Sequence, residues 1–152
     1  MRLNIHNLQE VSNLHNRINM EMGDLLKYTS YKEYESILTN DLVYGIFDGE
    51  LIGFITLQEN SDVLNQVDLI NSVYLKNVII DPDYRRRGVF SRLLDEAIDE
   101  LPDMDIDYLV CTIAEENMGS IRAFEKYGFT YYKKAKVHDE LDRLIYTYKL
   151  KK

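Results

Sequence analysis

Three consecutive arginines, Arg85, Arg86 and Arg87, run directly into Gly88 within the segment VIIDPDYRRRGVFSRLL. Guanidinium groups pair with phosphate through parallel N–H donors, and a glycine lets the backbone take left-handed angles and approach an anion closely. The flanking residues decide whether this chemistry has a frame. Asn77, Val78, Ile79 and Ile80 read as the end of a buried strand, and Asp81, Pro82 and Asp83 as a turn. Phe90, Leu93, Leu94, Ala97, Ile98 and Leu101 recur at helical spacing and read as the apolar stripe of a helix. Strand, tight loop and helix start together turn unpaired backbone N–H groups and a positive dipole end toward an anion. A merely solvated basic loop would need none of this placement, so a pyrophosphate cradle is the sharper reading. It is not a Walker loop, because no Gly-Lys-Ser/Thr follows, and it lacks the three-glycine dinucleotide fingerprint.

The other residues that could do chemistry are scattered. Cys111 is the single cysteine and lies in the apolar run DYLVCTIAE, where it reads as strand filling rather than as a nucleophile, no histidine being its neighbour in sequence. Glu115 and Glu116 precede Asn117, a position where acidic residues suit a helix start. His138 falls in a loop or strand edge, and the twelve tyrosines, among them Tyr131, Tyr132, Tyr146 and Tyr148, cover a half-exposed sheet or line a pocket.

The elements that must position these groups alternate along a chain of 152 residues, the size of one ordinary domain, which buries roughly two-thirds of its unfolded surface without disulfides or metal. Leu3 and Ile5 read as a first strand, followed by helices around Leu8 to Met20 and Tyr31 to Leu38. LVYGIFDGELIGFITLQ reads as a hairpin turning at Asp48 and Gly49. A polar loop near Glu59 to Asn65 leads to the strand ahead of the arginines, then the helix, then the strand containing Cys111. A helix from about Met118 to Lys126, capped by Asn117 and ended by Gly128, precedes two closing strands, FTYYKKAK and RLIYTYKL, expected as an antiparallel pair. The sum is an α/β mixed sheet with helices packed over it, in a single domain spanning residues 1–152. Acidic residues number 26 against 18 basic ones, a net charge of -8, which argues against a nucleic-acid partner and mildly favours a cationic one. The lone cysteine, the polar N-terminal stretch and the lack of any run of ~20 apolar residues lead to the expectation of a soluble, cytoplasmic protein with no membrane partner.

The arginine segment resembles the coenzyme A signature of the GNAT superfamily of N-acetyltransferases, and NMGSIRAFEKYGF resembles that family's second signature. The order of elements agrees over nearly the whole chain, the first thirty residues by arrangement alone. The resemblance implies a GNAT-like fold with a mostly antiparallel twisted central sheet. It further implies that backbone groups of Val78, Ile79 and Ile80 align the pantetheine arm of acetyl-CoA. The segment from Arg86 through Arg87, Gly88, Val89 and Phe90 to Ser91 would hold the pyrophosphate, Arg85 fills the signature's first position, and Asn117 would contact the cofactor, a role compatible with capping the helix. Three positions depart from the family pattern. Phe90 stands where a small residue is usual, Phe124 where many relatives have a tyrosine acid, and Thr112 where some have a glutamate base. Tyr127, three residues beyond Phe124, is the substitute candidate acid.

These readings lead to an acetyl-CoA-dependent N-acetyltransferase without a metal, acting by direct attack of a primary amine of a small molecule or peptide, and they leave a homodimer open. A catalytically weak coenzyme A sensor is the alternative, motivated by Phe124 and Thr112.

Overall fold

The computed structural model describes residues 1–22, 29–101, 105–137 and 141–150. The chain packs as two compact units, Met1–Thr56 with Asn77–Pro102, and Leu57–Lys76 with Asp103–Lys152. Six strands form one sheet in the order β1-β2-β3-β4-β6-β5: β1 Leu42–Asp48, β2 Glu50–Gln58, β3 Ser72–Ile80, β4 Tyr108–Ile113, β5 Thr130–Val137 and β6 Leu141–Lys149. β3 and β4 are parallel, while β4 with β6 and β5 with β6 are antiparallel, as expected for a mixed sheet. Among the described residues no helix is long and apolar enough to cross a membrane.

In the first unit, α1 (Leu8–Met22) and α2 (Tyr31–Asn40) bury Leu8, Val11, Leu14, Ile18, Tyr34, Ile37 and Leu38 in one cluster with Val43, Leu51, Phe54 and Ile79. Ser30 starts α2 through a capping box, its hydroxyl accepting from the Glu33 amide at 3.1 Å while the Glu33 carboxylate reaches back to the Ser30 amide. His15 and Tyr34 hydrogen-bond to each other inside this core. The β1–β2 hairpin turns through Gly49 alone, at φ 76°, since Asp48 already belongs to β1. The expected first strand is not one. Only Arg2 bridges to Tyr44, and Ile5–Asn7 form a 3-10 turn that leaves Ile5 42% exposed.

The segment before the arginines also differs from its expected burial. Of Asn77, Val78, Ile79 and Ile80 only Ile79 is buried, and the other three are half-buried. α3 (Val89–Asp99) buries Val89, Leu93, Leu94 and Ala97, whereas Phe90, Ile98 and Leu101 are half-buried. The stripe therefore begins one residue earlier than expected, because Val89 lies exactly one turn before Leu93 and Phe90 falls at its edge.

In the second unit, β4 presents Leu109, Cys111 and Ile113 to one face and Val110 and Thr112 to the other. Val110 packs with Val63, Val67, Tyr74, Val137 and Ile145. α4 (Met118–Tyr127) begins at Asn117, whose side-chain oxygen accepts from the Ser120 amide at 3.2 Å. It ends at Gly128, where φ is 127° and a Cβ would meet the Tyr148 ring at 3.1 Å.

Candidate functional site

β3 ends at Ile80, and the next three residues determine where the arginines go. The Asp81 amide donates to the Ile52 carbonyl at 2.8 Å, which ties the strand end to β2. The Asp81 carboxylate is buried, accepts from the Asp83 amide at 3.0 Å, and so caps a 3-10 turn over Pro82–Tyr84. Its other oxygen takes a charge-assisted hydrogen bond from Arg17 of α1 at 2.6 Å. A buried carboxylate held from two sides fixes the start of the loop.

The loop itself is fixed by Tyr84, whose hydroxyl donates to Asp48 at 2.8 Å. That hydrogen bond holds the Tyr84 phenol above its ordinary pKa. Arg87 stacks over the Tyr84 ring at 5.2 Å, an arrangement that occupies the guanidinium face and leaves its N–H edge for an anion. Arg86 is left-handed at φ 63° and Gly88 at φ 75°. Two left-handed residues so close together bend successive amides toward one side, as in anion-binding nests. No side chain caps α3, since Gly88 is its N-cap, and its first intrahelical bond runs from the Arg92 amide to the Gly88 carbonyl at 3.1 Å. A Cβ built on Gly88 would meet nothing within 4 Å, so the space over this helix start is open. Arg85, Arg86 and Arg87 are all exposed. The loop thus sets three exposed arginines beside a helix start that no side chain caps, an arrangement that suits an anion.

The candidates of the second unit fall in different places. Thr112 is half-buried, and its hydroxyl lies 3.1 Å from that of Tyr74, a buried side chain on β3. Burial, first of all, raises the Tyr74 pKa and keeps it neutral, so this pair offers hydroxyls and no base. Phe124 is buried, edge-on to Phe129 at 5.0 Å. Tyr127 joins Phe129 and Tyr148 in an aromatic cluster with centroids 6.1 and 5.2 Å away, beside a cavity of about 370 Å³ also lined by Tyr108, Thr130, Thr147 and Lys149. It is the last residue of α4, about 15 Å of helix from Asn117, and the structure does not bring the two together. Cys111 is buried and its thiol is pushed well up by that burial, against any nucleophilic role. Glu115 is taken by Lys134 at 2.6 Å, Glu116 is exposed, and His138 lies outside the described residues.

Sequence reasoning missed four residues that shape these sites: Arg17, Asp48, Tyr74 and Tyr84. Only Asp81 before Pro82 carried a local signal, the Asx turn that caps the 3-10 segment.

Comparison with known proteins bears on the fold and the family. The chain is 30% identical over 79 residues to the [ribosomal protein bS18]-alanine N-acetyltransferase of Salmonella typhimurium, covering 47% of this chain and 53% of that protein. It therefore spans about half the length of the curated relatives it matches. In three dimensions it resembles an N-acetyltransferase from Staphylococcus aureus Mu50 with a TM-score of 0.77 at 16% identity, over 98% of this chain and 95% of the other. yncA of Salmonella typhimurium, solved with its cofactor acetyl-CoA, superposes with a TM-score of 0.72 at 17% identity, over 100% and 93% of the two chains. The model of the acetyltransferase (GNAT) family matches residues 8–129, and the chain belongs to that family.

Proposed function

We propose that this protein is an acetyl-CoA-dependent N-acetyltransferase whose catalytic domain comprises the whole chain. The observation that carries the reading is the loop at Gly88, where two left-handed residues and an uncapped helix start meet three exposed arginines. Acetyl-CoA supplies a thioester carbonyl open to a neutral amine, and a thiolate leaving group. Arg85, Arg86 and Arg87 bind the pyrophosphate with the backbone of Gly88 to Ser91. Phe90 does not obstruct the loop, because it sits at the half-buried edge of the α3 stripe. The backbone of Val78, Ile79 and Ile80 aligns the pantetheine arm as an added strand. Asn117 keeps its oxygen for the helix cap, which leaves its amide N–H groups for the cofactor.

The amine attacks the carbonyl carbon as the C–N bond forms, and the C–S bond breaks with its electron pair on sulfur. Phe124 has no proton to give, and a thiol with a pKa near ~8.5 departs largely as thiolate. Tyr127 is placed for packing in its aromatic cluster, so we do not route the proton through it. The ammonium proton passes to water, and positioning of the two substrates supplies much of the acceleration. The test is release of coenzyme A thiol from acetyl-CoA against a panel of amines. Turnover upholds the enzyme; tight coenzyme A binding with no turnover for any amine replaces it with the sensor reading.

A further inference from the structure

We propose that Asp48 and Tyr84 are positioning residues that hold Arg87 ready for a phosphate, so that the arginines of the loop are not equivalent and Arg87 makes the oriented contact with coenzyme A. This deepens the reading above and rests on coenzyme A binding at this loop.

The chain of contacts starts at the β1–β2 hairpin. The Asp81 amide donates to the Ile52 carbonyl at 2.8 Å, which brings the end of β3 beside the hairpin in which β1 ends at Asp48. The Tyr84 hydroxyl donates to Asp48 Oδ2 at 2.8 Å, and this fixes the tip of the ring. Its backbone end is fixed by the 3-10 turn, where the Tyr84 amide donates to the Asp81 carbonyl at 2.9 Å. A ring held at both ends is a platform. Arg87 lies over it with the guanidinium carbon 5.2 Å from the centroid. Stacking uses the face of the guanidinium and leaves its in-plane N–H donors for a second partner. No carboxylate of the chain is that partner, since Arg87 forms no ion pair among the described residues and Asp48 accepts from Tyr84 instead.

Arg86 is the internal comparison. It is exposed like Arg87, left-handed at φ 63°, and has no side-chain hydrogen bond, ion pair or ring contact among the described residues. An unheld arginine must give up its rotamer freedom when it binds, whereas Arg87 has lost part of it already. A planar fork fixed before the ligand arrives is also the geometry that pairs with two phosphate oxygens at once. Asp48 adds a test of sign. It carries the same charge as a phosphate, so electrostatics alone makes its removal favourable to binding, whereas loss of positioning makes it unfavourable.

Calorimetry with coenzyme A makes the test, with thermal unfolding of each variant beside it to show that it is folded. Arg87→Gln should weaken binding about tenfold or more, against about threefold at most for Arg86→Gln. Asp48→Ala should weaken it about threefold or more despite the lost negative charge, and Asp48→Asn, which keeps an acceptor oxygen for Tyr84, should recover the loss. Tyr84→Leu should weaken it by a similar factor and Tyr84→Phe, which keeps the ring, by less; neither should weaken it further once Arg87→Gln is present. The proposal is overturned if Arg86→Gln costs as much as Arg87→Gln, if Asp48→Ala binds coenzyme A as well as or better than wild type, or if Tyr84→Leu costs the same with and without Arg87. If the wild-type protein binds no coenzyme A, the acetyl-transfer reading fails. Inorganic pyrophosphate titrated into the same variants then decides the role of Arg87 alone: the same order of losses upholds it, and pyrophosphate binding that ignores Arg87, or no binding, overturns it.

Discussion

Replacing Gly88 by alanine separates backbone strain from ligand binding, because the structure contains its own control. Gly88 has φ 75° and Gly49 has φ 76°, and at both positions a Cβ would meet nothing within 4 Å. Gly88→Ala and Gly49→Ala should therefore lose the same stability, about 1–2 kcal/mol for a left-handed L residue. For a chain of this size that lowers the melting temperature by roughly 2–8 °C. The two differ in what the new methyl faces. At Gly49 it stands at a hairpin turn, whereas at Gly88 it stands at the uncapped start of α3, where the proposed phosphate would lie. Displacing one charge-assisted hydrogen bond from a phosphate costs about 1.5–3 kcal/mol, so coenzyme A should bind Gly88→Ala roughly 10- to 100-fold more weakly. Calorimetry of both variants with coenzyme A, beside their thermal unfolding, makes the comparison. If Gly88→Ala is as destabilised as Gly49→Ala but binds coenzyme A within about twofold of it, the phosphates do not lie over this helix start and the assignment is wrong.

The remaining expectations concern the acid position, the loop's anchor and the buried thiol. Phe124→Tyr places a hydroxyl on a ring packed against Phe129 and should raise turnover or leave it unchanged in a thiol-release assay; a collapse of activity with coenzyme A affinity intact would mean that the bare ring is required. Arg17→Met leaves the Asp81 carboxylate buried with only the Asp83 amide as a hydrogen-bond donor in the turn. It should cost about 2 kcal/mol, read as a fall in melting temperature of roughly 4–8 °C, and no fall would show that water replaces the guanidinium. Cys111 is held protonated by burial, so the folded state keeps a proton that the unfolded state releases as pH rises through about 9. Stability should therefore decline above that pH, less steeply in Cys111→Ala by urea unfolding, and the variant should keep acetyl transfer because no acyl-cysteine is formed.

What could be read from the sequence was local. The hairpin, α2, α3 and α4 are written in short-range patterns: a glycine turn, Ser30 three residues before Glu33, a helical stripe, Asn117 before Ser120. Even there a local competitor could win. Alternation at Leu3 and Ile5 suggested a strand, but Asn4 accepts from the His6 amide while Asn7 accepts from the Asn4 amide, and this side-chain capping draws the backbone into a 3-10 turn. The strand end at Asn77 to Ile80 reads as wholly buried because residue type reports apolarity, whereas exposure depends on what covers each face. The contacts that shape the loop were out of reach for another reason. Arg17 and Asp81 are 64 residues apart, Tyr84 and Asp48 are 36 apart, and Tyr74 and Thr112 are 38 apart. Nothing in a single sequence says which arginine or tyrosine will meet which partner once the sheet has formed.

Under the proposed reading, the acid position at Phe124 and the base position at Thr112 place different demands on the reaction. Losing the acid at Phe124 is the smaller loss, since a leaving thiol near pKa ~8.5 is far more acidic than an alkylammonium near ~10.4. Losing the base at Thr112 is the larger one, because the acceptor must reach the carbonyl as the minor neutral form. A hydroxyl bonded to a neutral, buried tyrosine cannot shift that proton equilibrium. Deprotonation of the acceptor then falls to water, so under the proposed reading the rate with amine should follow the acceptor's own pKa, rising about tenfold per pH unit below ~10.4 for an alkylammonium. Rate profiles for two acceptors whose ammonium pKa values differ by more than a unit check this: if both bend at one shared pH below either value, a group of the protein acts as base and the proposal fails.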